Sequence, residues 1–397
     1  MEGNSSANVR LYYPPFEDAD TFEIYLKIRS SQTTLLPFIC GIGFAANIVS
    51  LVVFMQPSLR RLSCSIYLAA KSVSDFLFLL TVFIIWLARV EIEAFNVSGI
   101  CQLVVFFSYL TAFVSIWLAV VLTVENLLCV LKPWYVQRSC NATSATVLTA
   151  IIVSLGIILY QFSLWNNGVA HLSAGNSTAA TAEHYNGLIV NASESGNLAR
   201  YGLDGLSDHK ELSGHHTHDP NGTDESTESP LAANSGTSKK LCMQLEKFNN
   251  FIVATTYIDS LITIFVPLII LAVTNSAIVV IAVRSTRKSK MLNSQKSQYQ
   301  SPGGYHSVKK HSTAAALETQ ASKFLFLVSM TLLLFHFPSH VIRLKMLILP
   351  TKPMDFLLQR IFETLYYTHY AISFFVYLVF GSNFRRVFLA LVRRKNA

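Results

Sequence analysis

Ten charged side chains interrupt or flank long apolar runs: Lys71, Asp75, Glu125, Asp259, Glu318, Lys323, Arg343, Lys345, Arg360 and Glu363. A charge inside such a run must pair, reach water or take part in function, because leaving it alone in a low-dielectric interior is costly. Lys71 and Asp75 stand four apart and share one helical face, which suits an ion pair; a cation held by Asp75 and neighbouring hydroxyls is the alternative. Lys345, Arg360 and Lys323 suit long side chains that reach back to an interface. For Asp259, Arg343 and Glu363, ligand contact and an internal structural ion pair or hydrogen bond both stand open.

The elements that carry these residues are spans. The 397-residue chain is 52% apolar and 14% charged, against roughly 25% charged in a soluble domain. Its mean hydropathy is +0.42. Apolar windows fall at 33–55, 64–88, 101–130, 144–165, 250–283, 319–346 and 359–380, each long enough for a helix across a hydrocarbon core of about 30 Å. The expectation is an all-α membrane protein: a seven-transmembrane helix bundle over 33–381, kinked at Pro267 and Pro338. An amino-terminal segment, 1–32, precedes it. In the closing segment, 382–397, Phe384, Val387, Phe388 and Leu391 share a face bordered by Arg385, Arg386, Arg393 and Arg394, the pattern of a short amphipathic helix on the inner membrane surface.

Orientation follows from the loops. Segments 56–63, 131–143, 284–315 and 382–397 hold 16 Lys or Arg and no Asp or Glu, whereas 1–32, 89–100, 166–249 and 347–358 hold 18 acidic and 10 basic residues. The positive-inside rule therefore puts the amino terminus outside. Basic inner loops beside anionic lipid account for the formal charge of +8 without nucleic acid. Glycosylation sequons begin at Asn4, Asn96, Asn176, Asn191 and Asn221 in segments assigned outside, and Asn141 alone falls inside.

Segment 166–249 is rich in Gly, Ser, Asn, Thr and His and reads as a long, mostly disordered extracellular loop. Its His215, His216 and His218 beside Asp219 read as solvated side chains and not as a metal site. Segment 284–315 reads as a basic cytoplasmic loop with candidate phosphorylation sites. No Ser-His-Asp, Gly-x-Ser-x-Gly, phosphate-loop or His-Glu-x-x-His arrangement occurs in a catalytic context, so no enzyme is expected.

Gly43-Phe44-Ala45-Ala46-Asn47, Leu68 to Asp75, Cys101, Pro267 and Phe335-His336-Phe337-Pro338, in this order and topology, resemble the rhodopsin-like (class A) G-protein-coupled receptors over nearly the whole chain. The wording of spans two to four is most similar to invertebrate orphan and neuropeptide-receptor-like members. Departures accompany the matches. Glu125-Asn126-Leu127 stands where the family has Asp/Glu-Arg-Tyr, His336 replaces the span-six Trp, and Ser373-Phe374-Phe375-Val376-Tyr377 replaces Asn-Pro-x-x-Tyr. The span-four Trp is absent.

The resemblance implies a plasma-membrane receptor with an extracellular ligand, a heterotrimeric G protein, and arrestin and a receptor kinase as further partners. It implies a disulfide between Cys101 and Cys242, and no cofactor beyond a candidate sodium ion in a pocket of Asp75, Ser115 and Ser373, where the Lys71 ammonium competes for the same role. It gives Glu125, Asn126, Glu318, His336, Pro338 and Tyr377 as the activation switch. Because Asn126 brings no cation, a neutral hydrogen bond replaces the charged contact and a looser inactive state is expected. Positions matching the outer pocket are Ser108, Tyr109, Asp259, His340, Arg343, Glu363 and Tyr367. Without an Asp in span three or a Lys in span seven, amine and retinal ligands fall away, and mixed charges beside aromatic walls suit a short peptide. Two rivals remain: a receptor-like decoy or scaffold without G-protein coupling, motivated by Asn126 and Phe374, and an ion-conducting or transport protein using Lys71, Asp75, Asp259 and His336.

Overall fold

The computed structural model describes residues 19–131, 141–172, 239–245, 249–296 and 308–395. Helix α1 spans Ala19–Phe54, α2 Ser63–Arg89, α3 Ile100–Leu131 and α4 Ala142–Tyr160; a one-turn helix, Ser163–Asn166, leads into strand β1, Asn167–Leu172. Strand β2, Lys239–Gln244, pairs with β1 antiparallel, placing Val169 opposite Cys242. Helix α5, Asn249–Asp259, passes through a π-helical segment, Ser260–Phe265, into α6, Val266–Lys296. Helices α7, Val308–Ile348, α8, Pro353–Phe380, and α9, Ser382–Lys395, complete the chain.

Six helical segments are long and apolar enough to cross a membrane; α8 passes the same test together with α9, at a bend of 94°. The outward surface suits lipid: Phe38, Ile158, Ile269, Val273, Leu334 and Phe337 each leave more than half of their area exposed, a density of apolar exposure that a soluble monomer avoids. The chain is therefore described as a multi-pass membrane protein. Helix α3 is the most buried of these segments and packs on α2, α4, α6 and α7, while α1 packs on α2 and α8. Small residues permit the close crossings. A Cβ at Gly43 would lie 2.2 Å from Leu79 Cδ1 and 3.1 Å from Ala371 Cβ, and one at Gly156 would lie 2.6 Å from Leu110 Cδ1.

Polar side chains fasten the helices in the absence of a hydrophobic driving force between them. Asn47 Nδ2 donates to the Tyr370 carbonyl at 2.9 Å, Ser74 Oγ to the Thr111 carbonyl at 2.8 Å, and Ser329 Oγ to Asn275 Oδ1 at 2.8 Å. The Asn141 side chain accepts from Ser144 N at 2.9 Å and caps α4. Asp355 Oδ2 accepts from Lys352 N at 2.9 Å, with Pro353 opening α8.

Several boundaries differ from the sequence expectation. Helix α1 begins at Ala19, so residues 19–32 belong to the bundle and only the rest of 1–32 lies outside the described residues. Its first turns are polar on the outside but bury Tyr25 and Gln32, which a hydropathy window cannot register. Segment 284–315 is helical at both ends, through Lys296 and from Val308. The long segment 166–249 begins and ends in a two-stranded sheet, because Cys242 must be held beside Cys101; an all-α description omits it. Pro338 sits inside an unbroken helix, whereas Pro267 is the second residue of α6, just past the π-helical segment. Proline removes a backbone donor, so the carbonyl one turn earlier loses its partner and the local hydrogen-bond register is free to change. After the bend, Phe384 of α9 packs against Phe54 and Tyr377, with ring centroids at 5.0 and 5.7 Å, while Arg385, Arg386 and Arg393 stay exposed.

Candidate functional site

The polar residues of the bundle fall into four groups. The first lies at the end of the bundle that holds the β1–β2 pair. The Cys101–Cys242 disulfide, with Cα atoms 5.7 Å apart, joins the start of α3 to β2. Asn96 Oδ1 accepts from Cys242 N at 3.1 Å, and Asn96 Nδ2 donates to Glu93 at 3.2 Å. Asn96 is 8% exposed, so this sequon residue is engaged in positioning the bridge. Asn4, Asn176, Asn191 and Asn221 lie outside the described residues, as do His215, His216, His218 and Asp219.

Beside the bridge, α1, α2, α7 and α8 bring together Gln32, Arg89, Arg343, Arg360 and Glu363. Glu363 is 3% exposed; its Oε1 accepts from Tyr367 Oη at 2.9 Å and its Oε2 from Gln32 Nε2 at 3.2 Å. Arg360, 2% exposed, lies 3.6 Å from Glu363 Oε2 and donates to Tyr25 Oη at 3.3 Å and Gln32 Oε1 at 3.4 Å. Arg89 Nη1 donates to the same Gln32 oxygen at 3.4 Å. Arg343 stands 5.8 Å from the Tyr366 ring and within Coulombic range of Glu363. Arg360 is thus buried and paired, not reaching out to an interface. Lys345 pairs with the buried carboxylate of Asp355, and Lys323 is exposed.

The second group lies against α4. Tyr160 Oη donates to Asp259 Oδ1 at 2.6 Å and lies 2.7 Å from Thr263 Oγ1, which itself donates to Asp259 at 2.8 Å. Tyr109 stacks on Tyr160 with ring centroids 5.3 Å apart. Tyr160 and Asp259 border a cavity of about 570 Å³ that is also lined by Phe162, Trp165, Phe251 and Ile262. The structure therefore divides the expected pocket. His340, Arg343, Glu363 and Tyr367 share the arginine-rich cluster; Asp259 and Tyr109 face Tyr160, and Ser108 is part-exposed on α3.

At mid-depth, Lys71 Nζ lies 2.6 Å from Asp75 Oδ2, with side chains 2% and 0% exposed. Ser115 Oγ donates to Asp75 Oδ1 at 2.5 Å, and Ser373 is beside the same carboxylate. The ammonium occupies the position a bound cation would need, so the donor set does not fit an added sodium ion while Lys71 stays in place. Above it, His336 packs among His340, His369, Tyr366 and Tyr370, at centroid distances of 5.7, 4.7, 4.5 and 5.7 Å. Among the described residues no group of three ligating side chains has the geometry to hold a metal ion.

At the opposite end, Ser63 Oγ of α2 donates to Glu125 Oε1, Asn126 is 1% exposed, and Tyr377 is packed edge-on against Phe54 and Phe324. The Glu318 side chain lies outside the described residues. Tyr25, Gln32, Arg89 and Tyr366 were missed by the sequence reading. Arg89 carried a signal, being the basic residue that closes α2; Gln32 carried none. No family model matches the chain, and no curated protein matches it.

Proposed function

We propose that this chain is a seven-helix, rhodopsin-like receptor of the plasma membrane, with its amino terminus outside, that binds a short extracellular peptide and signals to heterotrimeric G proteins. The observation that carries this reading is the polarity of the bundle. Convergent buried polar groups lie beside a disulfide-tethered strand pair at one end, while α9 with Arg385, Arg386 and Arg393 lies at the other. A ligand that binds one arrangement of α5, α6 and α7 better than another shifts the bundle toward it. The hinge is placed at the π-helical segment and Pro267, and the basic inner segments meet the G protein, arrestin, a receptor kinase and anionic lipid.

A second reading, a receptor-like decoy that binds ligand without G-protein coupling, is favoured by one contact: Glu125 is held by Ser63, and its neighbour Asn126 provides no cation. The test is a G-protein dissociation assay across several Gα subtypes in cells displaying the chain, challenged with short peptides. Activation that disappears in Glu363→Gln at equal surface level supports the receptor. Surface protein that binds peptide and leaves every G protein associated supports the decoy; Asn126→Arg that then restores dissociation locates the defect.

A further inference from the structure

Asn96 opens the sequon Asn96-Val97-Ser98 in the connection between α2 and α3, a pattern that marks an acceptor of N-linked sugar where the asparagine lies in an open loop. Its surroundings are not open. Asn96 is buried, as is its neighbour Phe95, while Val97 and Ser98 are exposed. Both ends of its side-chain amide are engaged: Oδ1 accepts from the backbone N of the fully buried Cys242 at 3.1 Å, and Nδ2 donates to Glu93 Oε2 at 3.2 Å. The sequon is also fixed to the helix it precedes, for the Val97 carbonyl accepts from Cys101 N at 2.9 Å. One short segment thus holds β2 twice, through the Asn96 amide on the Cys242 backbone and through the Cys101 disulfide on the Cys242 side chain.

We propose that the Asn96 amide is a latch for β2, and that a glycan on Asn96 and a docked, disulfide-bridged β2 exclude each other, so that Asn96 is modified only in chains whose bridge is open. The proposal rests on the reading that places this end of the bundle outside, the side on which sequons are used. Transfer joins Nδ2 to the anomeric carbon of a lipid-pyrophosphate-linked oligosaccharide. The bond from that carbon to the pyrophosphate oxygen breaks, the lipid pyrophosphate leaves, and the amide loses one proton. To present Nδ2 to this reaction the side chain must turn out of its buried site, which takes Oδ1 away from Cys242 N. Once the sugar is joined, the amide cannot return to a buried position, and the Cys242 N–H loses this acceptor, a condition that disfavours docking. The exclusion works in both directions, because one amide cannot be buried against β2 and carry a sugar in solvent. Synthesis gives the competition its time, since Cys242 follows Asn96 by 146 residues.

The test uses cells making the full chain, with surface and internal pools separated by a membrane-impermeant label. Free thiols are blocked before tryptic digestion, and a glycosidase converts each sugar-bearing Asn to Asp. No Lys or Arg separates Asn96 from Cys101, so mass spectrometry of one peptide reads the sugar and the bridge on the same molecule. Bridged chains are expected to carry a bare Asn96 in both pools, and Cys242→Ser should raise sugar on Asn96 at least about tenfold over wild type, the factor set by one buried hydrogen bond. Ser98→Ala ends the sequon and keeps both amide contacts, so bridge closure and surface level should match wild type; Asn96→Ala removes the contacts and should lower both. Sugar on Asn96 in bridged chains overturns the exclusion, and a bare Asn96 in Cys242→Ser overturns burial as its cause. Normal closure in Asn96→Ala, or losses in Ser98→Ala equal to those in Asn96→Ala, overturn the latch. Sugar on none of Asn176, Asn191 and Asn221 refutes the outward placement and the proposal together, whereas sugar there beside any of the other failures leaves the placement standing while the latch fails.

Discussion

Replacing Lys71 by Met leaves Asp75 as a carboxylate that is 0% exposed and separated from its charged partner, the ammonium 2.6 Å away. Ser115 at 2.5 Å still donates and Ser373 stays beside the carboxylate, but neutral hydroxyls do not offset the desolvation of a full charge. Breaking a buried pair on one side costs about 3–5 kcal/mol, and no discount for solvent screening applies at this burial. This is a factor of roughly two to three and a half orders of magnitude in the folding equilibrium. Removing both charges in Lys71→Met with Asp75→Asn should recover most of the loss, since a neutral, well-packed pair is often as stable as the ion pair it replaces. The assay is heating in detergent with a thiol-reactive fluorophore that reads Cys40, which is fully buried with its thiol toward the Leu79 carbonyl, in a background where Cys64, Cys129 and Cys140 are Ser. The expected order of apparent Tm is wild type close to the double variant, with the single variant well below. Sodium, but not choline, at physiological ionic strength should raise the single variant and leave the wild type unmoved, because binding to the native state alone stabilises it. A single variant within about 1 kcal/mol of wild type, or a wild type stabilised by sodium, refutes the view that Lys71 is the internal cation.

Three further perturbations test the packing around the candidate site. Tyr160→Phe removes the hydroxyl between Asp259 and Thr263 and should cost about 1–3 kcal/mol, read as a lower Tm in the same thiol assay. Gly43→Leu places a side chain where even a Cβ would be 2.2 Å from Leu79; about 1–3 kcal/mol of overpacking should appear as reduced Tm, partly rescued by Leu79→Ala. Cys242→Ser opens a bridge spanning a sequence separation of 141 and should destabilise the chain by about 2–5 kcal/mol, measured as lost surface display against total protein.

The spans were legible because a run of apolar residues has few alternatives in a chain of this composition, and the charges that interrupt them pointed to Lys71 and Asp75 by helical spacing alone. Four-residue spacing also marks Glu363 and Tyr367, whose hydrogen bond lies within one helix. What one helix contributes to another was much less visible. Gln32 sits in a segment whose composition reads as a tail, yet its amide bridges Glu363, Arg360 and Arg89 across three helices. Tyr109 and Asp259 carry no mark of their rotation toward Tyr160; a one-dimensional pattern gives a residue's depth but not which neighbour its face meets. The hairpin of β1 and β2 was hidden because only six residues on each side of a long polar segment form it.

The two buried charge clusters solve the same electrostatic problem in different ways. Lys71 and Asp75 match one ammonium with one carboxylate, and Ser115 completes the second carboxylate oxygen, so the pair closes on itself and serves to hold α2 against α3. Around Glu363 the polar groups come from four helices, so that Gln32, Arg89, Arg343 and Arg360 tie α1, α2, α7 and α8 to one carboxylate. A closed pair resists rearrangement because every alternative exposes a bare charge. A cluster shared among several helices shifts between two forms of a bundle only through a differential interaction with one of them. The closed pair is thus a structural element of the bundle, and His336, His340 and Tyr366 pack ring against ring in the same interior.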